Sequence, residues 1–280
     1  MALRAVRSLA ILSNPLRTYS TSGPLVNVSI NEKTGIATAT LQRPPVNSLN
    51  LELLTELCTT LEQLEKNKSR GLILTSSSNT VFSAGLDIYE MYKPNMDRYK
   101  QFWTTLQQTW INLYGSSYPT VAVVNGHAPA GGCLLALSCE YRIMLNNFTI
   151  GLNETKLGMI APTWFAASMR NAIGTRQTEL ALITGNLFTT DEALKIGLVD
   201  EVVQSKNEAL EKAGKFFDKF KRIPPHARTM TKTSLRGADI QALVKSRNEE
   251  MNKLTAFIND PKLQEAIGMY LESLKQKQNK

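Results

Sequence analysis

Among the 280 residues there are only two histidines, His127 and His226, and three cysteines, Cys58, Cys133 and Cys139. An odd number of cysteines at no metal-ligand spacing excludes a disulfide frame and a zinc cluster, and leaves them as small apolar residues in a reducing compartment. Neither histidine has a nucleophile or carboxylate positioned beside it by spacing, so histidine-based catalysis has little to work with. The chain also lacks a G-x-G-x-x-G turn after a strand, a Walker loop and a G-x-S-x-G elbow. Those absences remove the usual dinucleotide, nucleotide and serine-hydrolase devices. Aromatic residues are 7% of the chain, and no basic run carries them interleaved as a nucleic-acid groove requires. Long apolar runs are missing too. Thr120–Cys139 comes nearest, but Asn125, His127 and Pro129 interrupt it, so no membrane span is expected.

Acid is absent from the first 31 residues, while Arg4, Arg7 and Arg17 fall within the first nineteen. Arg4 and Arg7 share a helical face opposite Leu3, Leu9 and Ala10, the amphipathic pattern of a mitochondrial transit peptide. A secretory signal would need a longer apolar stretch than Leu9–Leu12. Residues 1–20 are therefore set apart as a leader for the mitochondrial matrix, with a cut after Tyr19. A terminal Gln-Asn-Lys in place of Ser-Lys-Leu argues against a peroxisomal address. The whole chain carries a net charge of +8, and without the three leader arginines it remains mildly basic, which suits an anionic ligand.

What is present is 42% apolar residues, enough for a real core, arranged with two periodicities. Leu25–Ile30 and Gly35–Leu41 read as a hairpin around Asn31–Thr34, and Gly71–Thr75, Thr120–Val124, Tyr141–Leu145, Phe148–Gly151 and Leu198–Val203 read as further strands. Helical spacing covers Leu49–Leu64, Met96–Tyr114, Trp164–Ile173, Arg176–Thr184, Thr190–Ile196 and Lys206–Lys221. Gly174, Gly185 and Gly197 are placed as helix C-caps. Beyond Pro224-Pro225 the pattern is amphipathic helix over 226–236, 239–258 and 261–277. Strand and helix alternating, then helices alone, is an α/β fold with a helical extension. The division expected is a core over 25–220 and a helical region over 221–280.

Two glycine-centred turns stand out, Phe82-Ser83-Ala84-Gly85-Leu86-Asp87 and Asn125-Gly126-His127-Ala128-Pro129-Ala130-Gly131-Gly132-Cys133. The second joins a β-branched strand to a helix, which leaves N–H groups free at the helix N-terminus. Such a corner could equally serve packing alone. Two carboxylates, Asp87 and Glu154, directly follow apolar runs. Two N–H groups from separate turns converging on one point would make an oxyanion hole, and one carboxylate nearby would be a general base. Spacing does not show that they converge.

Both turns, in this order, resemble the two signature turns of the crotonase (enoyl-CoA hydratase/isomerase) superfamily, and the resemblance runs from about Val26 to the C-terminus. It implies a spiral of β-β-α turns, with C-terminal helices that build a homotrimer. It also implies an acyl-CoA thioester substrate, held by the N–H groups of Ala84 and Gly131 and lined by Gly85, Leu86, Ile88 and Leu134. Asp87 belongs to the same segment, more as a brace of the turn than as a catalyst. Coenzyme A would be part of the substrate, with no separate cofactor and no metal. Hydratases of this family carry two catalytic glutamates. Here the first position is Leu134 and only the second, Glu154, is acidic. The resemblance therefore implies a one-glutamate 1,3-proton shift, from 3-cis- or 3-trans-enoyl-CoA to 2-trans-enoyl-CoA, in the β-oxidation of unsaturated fatty acids. A dienoyl-CoA isomerase would need a further acid in the pocket, and weak hydration would need a water site at Leu134. A non-catalytic RNA-binding member would use a basic helix, for which Lys212–Arg222 is the candidate.

Overall fold

In the computed structural model, which describes residues 23–278, the chain opens with the expected hairpin. Strands β1 (Val26–Asn31) and β2 (Ile36–Leu41) pair antiparallel. The Asn31 side chain accepts the N–H groups of Lys33 and Thr34 and so shapes the turn, which Gly35 completes at φ +70°. The expected leader over 1–20 lies outside the described residues.

Helix α1 (Leu51–Lys66) starts where Asn50 caps the N–H of Leu53 at 3.1 Å. It returns the chain to β3 (Gly71–Ser76), parallel to β2. Helix α2 (Met96–Tyr114), capped by Asn95, leads to β4 (Thr120–Val124). Next come β5 (Ala128–Pro129), α3 (Gly131–Ser138), β6 (Tyr141–Leu145), β7 (Thr149–Gly151) and α4 (Thr163–Thr184). Then follow β8 (Phe188–Thr189), α5 (Thr190–Lys195), β9 (Glu201–Val203) and α6 (Lys206–Asp218). Two long helices end the chain, α7 (Pro225–Ile258) and α8 (Pro261–Gln278).

Six strands form one sheet in the order β1-β2-β3-β4-β6-β9, parallel apart from β1. Its central strands are buried on both faces, which is why they read as continuous apolar runs. Alternate residues divide between two cores. Leu72, Leu74, Ala122, Val124 and Met144 join the large cluster with α1, α2 and α3, while Ile73, Val121, Val123 and Ile143 meet Ala209, Ala213 and Phe217 of α6. A second, small sheet of order β5-β7-β8 stands apart from the first.

Apart from shifts of up to three residues at the ends of α1 and α6, three boundaries differ from the periodic reading. Leu198 and Val199 are buried but not in a strand, because both N–H groups turn back to the Ala193 carbonyl and close the Gly197 turn. Helix α4 spans both expected segments with a break at Gly174 (φ 77°, ψ 165°). Helix α7 runs unbroken through Gly237, because tertiary contacts on either side outweigh the ~1 kcal/mol helix penalty of glycine. Arg236 is one such contact: it lies over the Tyr114 ring at 4.2 Å and donates to the Ser138 carbonyl at 3.0 Å.

The basic segment at 212–222 is also a packing element. Phe217 is buried against Gly71, Phe216 stacks on Tyr141 at 4.4 Å, and Lys212 pairs with Glu201 at 2.6 Å. Among the described residues no helix is long and apolar enough to cross a membrane.

Candidate active site

Two short parallel bridges fix the first glycine turn, one to the second turn and one to the segment before α1. Val81 pairs with His127, and Leu49 with Leu86. In the first, His127 N–H donates to the Thr80 carbonyl at 2.9 Å and Phe82 N–H to the His127 carbonyl at 3.0 Å. The turns then interlock so closely that side chains are excluded. A Cβ on Gly132 would lie 2.3 Å from the Ser83 carbonyl oxygen, and one on Gly85 would lie 3.0 Å from the Gly131 nitrogen. Gly85 also sits at φ +90°, which favours glycine.

The N–H groups of this junction can be assigned one by one. Ala84 N–H donates to the Val46 carbonyl at 2.9 Å, Gly85 N–H to the Ser83 hydroxyl at 3.2 Å, and Asp87 N–H to the Leu49 carbonyl at 3.0 Å. Ala84 is therefore not a free donor, contrary to the expectation from sequence. Leu49 pairs with the carbonyl of Gly85 and the N–H of Asp87, so the intervening Leu86 peptide faces the other way. Among the described residues its N–H meets no acceptor. The Leu86 nitrogen lies 3.2 Å from where a Cβ on Gly131 would sit.

Gly131 opens α3, and its N–H is likewise unaccepted among the described residues, as the first helical position dictates. Ala130 just before it holds φ +49°, ψ −121°, a conformation that costs an L-residue on the order of 1–3 kcal/mol. Its N–H is pinned to the Gly151 carbonyl at 2.8 Å. That bond ties the second turn to β7, and β7 leads directly to Glu154. The junction thus offers two unpaired donors, Leu86 and Gly131, from two turns.

Glu154 begins a single 3₁₀ turn, Glu154–Leu157, closed by Gly158 in the left-handed region. The residue is 6% exposed, and neither carboxylate oxygen has a hydrogen-bond partner among the described residues. Burial pushes its pKa up to about 7, against a small lowering by its own backbone N–H. Its neighbour is Cys133 of α3, whose thiol is raised well above its ordinary range, first by burial and then by the Glu154 charge. A buried, unpartnered carboxylate with a pKa near neutrality is suited to take and return a proton.

The other expected residues fall into supporting places. Asp87 is committed on both oxygens, to Arg43 at 2.9 Å and to the Tyr89 N–H at 3.1 Å, so it braces the turn and is not open to a ligand. Leu134 is buried in the main core at the position where a second carboxylate could have stood. Leu86 and Ile88 are half-buried and pack against that core. The His127 ring lies at the surface, its Nδ1 accepting the Thr149 N–H at 3.2 Å, so only the backbone of this residue takes part in the junction.

Sequence reasoning missed the Leu86 donor, the Arg43–Asp87 brace and the Ser83 hydroxyl that donates to the Asn47 carbonyl at 2.8 Å. The alternation of an extended segment could have located the first. The other two depend on contacts between distant segments.

The enoyl-CoA hydratase/isomerase family model matches residues 31–279. The mitochondrial enoyl-CoA delta isomerase 1 of Mus musculus is 48% identical over 246 residues, covering 87% of this chain and 85% of that protein. The Homo sapiens protein of the same name is 45% identical, covering 86% and 81%. Among solved structures, human mitochondrial delta3-delta2-enoyl-CoA isomerase superposes with a TM-score of 0.87 at 44% identity, covering 90% of this chain and 99% of that one. An enoyl-CoA hydratase from Bacillus halodurans superposes at 0.78 with 27% identity, covering 88% and 99%. The chain belongs to the enoyl-CoA hydratase/isomerase family, and its mixed α/β core with a helical C-terminal region is the fold of that family.

Proposed function

We propose that this protein is an enoyl-CoA isomerase that moves the double bond of 3-cis- or 3-trans-enoyl-CoA into the 2-trans position. The observation that carries the reading is two unpaired backbone donors at the junction of the turns, with a buried, unpartnered carboxylate beside Cys133 of the helix that Gly131 opens. The names of the relatives most similar over nearly the whole chain point the same way.

The thioester carbonyl accepts from the N–H groups of Leu86 and Gly131. Glu154 removes a proton from C2, and the electron pair delocalises over the C3–C4 double bond and the carbonyl as a dienolate. Negative charge on the oxygen strengthens both hydrogen bonds, so they stabilise the transition state more than the bound substrate. Glu154 then delivers its proton to C4, leaving the double bond between C2 and C3. No group is gained or lost, and the base ends as it began. With Leu134 in place of a second carboxylate, the site has no group to hold and split a water, so hydration is not expected. Coenzyme A enters as part of the substrate.

The reading extends to setting and assembly. The Arg-bearing, acid-free first nineteen residues and the mitochondrial relatives support a place in the mitochondrial matrix, where the reaction would serve β-oxidation of unsaturated acyl chains. A homotrimer fits the exposed Leu180 and Ile183 of α4 and Met230 and Leu235 of α7, apolar side chains that a neighbouring copy would cover. The test is conversion of 3-cis- and 3-trans-hexenoyl-CoA, with water addition to 2-hexenoyl-CoA measured beside it. Isomerisation without hydration, lost in Glu154→Gln, supports the mechanism. Undiminished isomerisation in Glu154→Gln, or strong hydration, refutes it.

A further inference from the structure

We infer that Thr155 is a positioning residue for Glu154, acting through a hydrogen bond from its hydroxyl to the C-terminal end of α4. The inference rests on the reading of Glu154 as the base. No group among the described residues hydrogen-bonds the Glu154 carboxylate, so the backbone that carries it, together with the packing around it, sets where the carboxylate points. That backbone is a single 3₁₀ turn whose preceding residue, Asn153, supplies no side-chain cap. A turn this short cannot hold its own geometry.

Outside contacts hold it instead, and they converge on one place. Thr155 Oγ1 donates to the Leu182 carbonyl at 2.5 Å. Leu182 is among the last residues of α4, whose terminal carbonyls lack helical partners, and Gly185 N–H shares the same oxygen at 3.3 Å. Gly185, left-handed at φ +58°, has the Lys156 side chain packed where a Cβ would go, and Asn186 closes against Gly151. Within the turn, Met159 N–H returns to the Glu154 carbonyl at 3.1 Å. Of these contacts only the Thr155 hydroxyl bond comes from a side-chain polar group. Thr155 is itself exposed, so removing its hydroxyl opens no cavity.

The substitution that isolates the bond is Thr155→Val, which keeps the branched shape and loses only the hydroxyl. Displacing a reacting group by about 1 Å can lower turnover by on the order of 10²-fold, so a fall in kcat of ~10-fold or more is expected, with KM within about twofold. Thr155→Ser keeps the donor and should restore kcat to within about threefold of wild type. A second readout is the pH dependence of kcat/KM. A loosened turn admits water to the carboxylate, so the midpoint should move from near neutrality toward the ordinary carboxylate value. A purely structural role would lower the Tm of Thr155→Val while leaving kcat and the midpoint unchanged at 25 °C, and that result overturns the inference. Glu154→Gln is run beside both variants. If it retains full activity, the base assignment fails; if it is inactive while Thr155→Val matches wild type, only the positioning role fails.

Discussion

Asp87 and Glu154 look alike in the sequence, each an acid immediately after an apolar run, yet their surroundings are opposite. Asp87 has a guanidinium and a backbone N–H on its two oxygens. Glu154, buried to the same degree, has no such partner on either oxygen among the described residues. Glu140 adds a second satisfied case, held by Arg228 and by Lys232 at 2.7 Å. A carboxylate supplied with donors is stabilised as an anion and becomes a poor base; one deprived of them gains basicity and weakens the fold. The sign follows from proton uptake. Between about pH 4.5 and 7 the folded protein holds a proton on Glu154 that the unfolded chain releases, so stability falls as pH rises through that window. The pKa difference corresponds to a loss of roughly 2–4 kcal/mol above pH 7. Function at this site is set against stability.

That contrast can be broken at several points. The largest effect is expected for Glu154→Gln: steady-state isomerisation of 3-trans-hexenoyl-CoA should fall by ~10²- to 10⁴-fold. The same variant should lack the decline in denaturation midpoint between pH 5 and pH 8 that is expected of wild type. Gly132→Ala attacks the donors rather than the base. Its Cβ would meet the Ser83 carbonyl oxygen at 2.3 Å, so the turns must part and kcat should drop by roughly 10²-fold. Glu140→Gln tests the satisfied side. It leaves Arg228 and Lys232 without their shared anion in a buried place, and urea denaturation should show a loss of ~3–5 kcal/mol with kcat little changed. Asp87→Asn should be the mildest, about 1–2 kcal/mol less stable through the weakened Arg43 contact, with kcat within several-fold of wild type.

Much of this fold was legible because its strands and helices carry undisturbed periodicities. Thr120–Val124, Tyr141–Leu145 and Met96–Tyr114 fall where their patterns place them. The site was picked out at Glu154 and Gly131 through the family resemblance of their segments, and both the carboxylate and the N–H are unpartnered among the described residues. It was misread at Ala84, because which N–H of an extended segment is free depends on the strand lying beside it, here Leu49, some 35 positions earlier in the chain. Spacing alone did not separate Asp87 from Glu154; the resemblance did, by making Asp87 a brace of the turn. Arg43 is brought to one and nothing is brought to the other, a difference made by the fold and invisible in local spacing.

The most direct test of a single unpaired base is the pH profile of kcat/KM for 3-trans-hexenoyl-CoA. A rise with pH through one ionisation near 7, the burial-raised value of Glu154, is expected, and it should be absent from the residual activity of Glu154→Gln. A profile already flat from pH 5 upward, or one unchanged in Glu154→Gln, would contradict it.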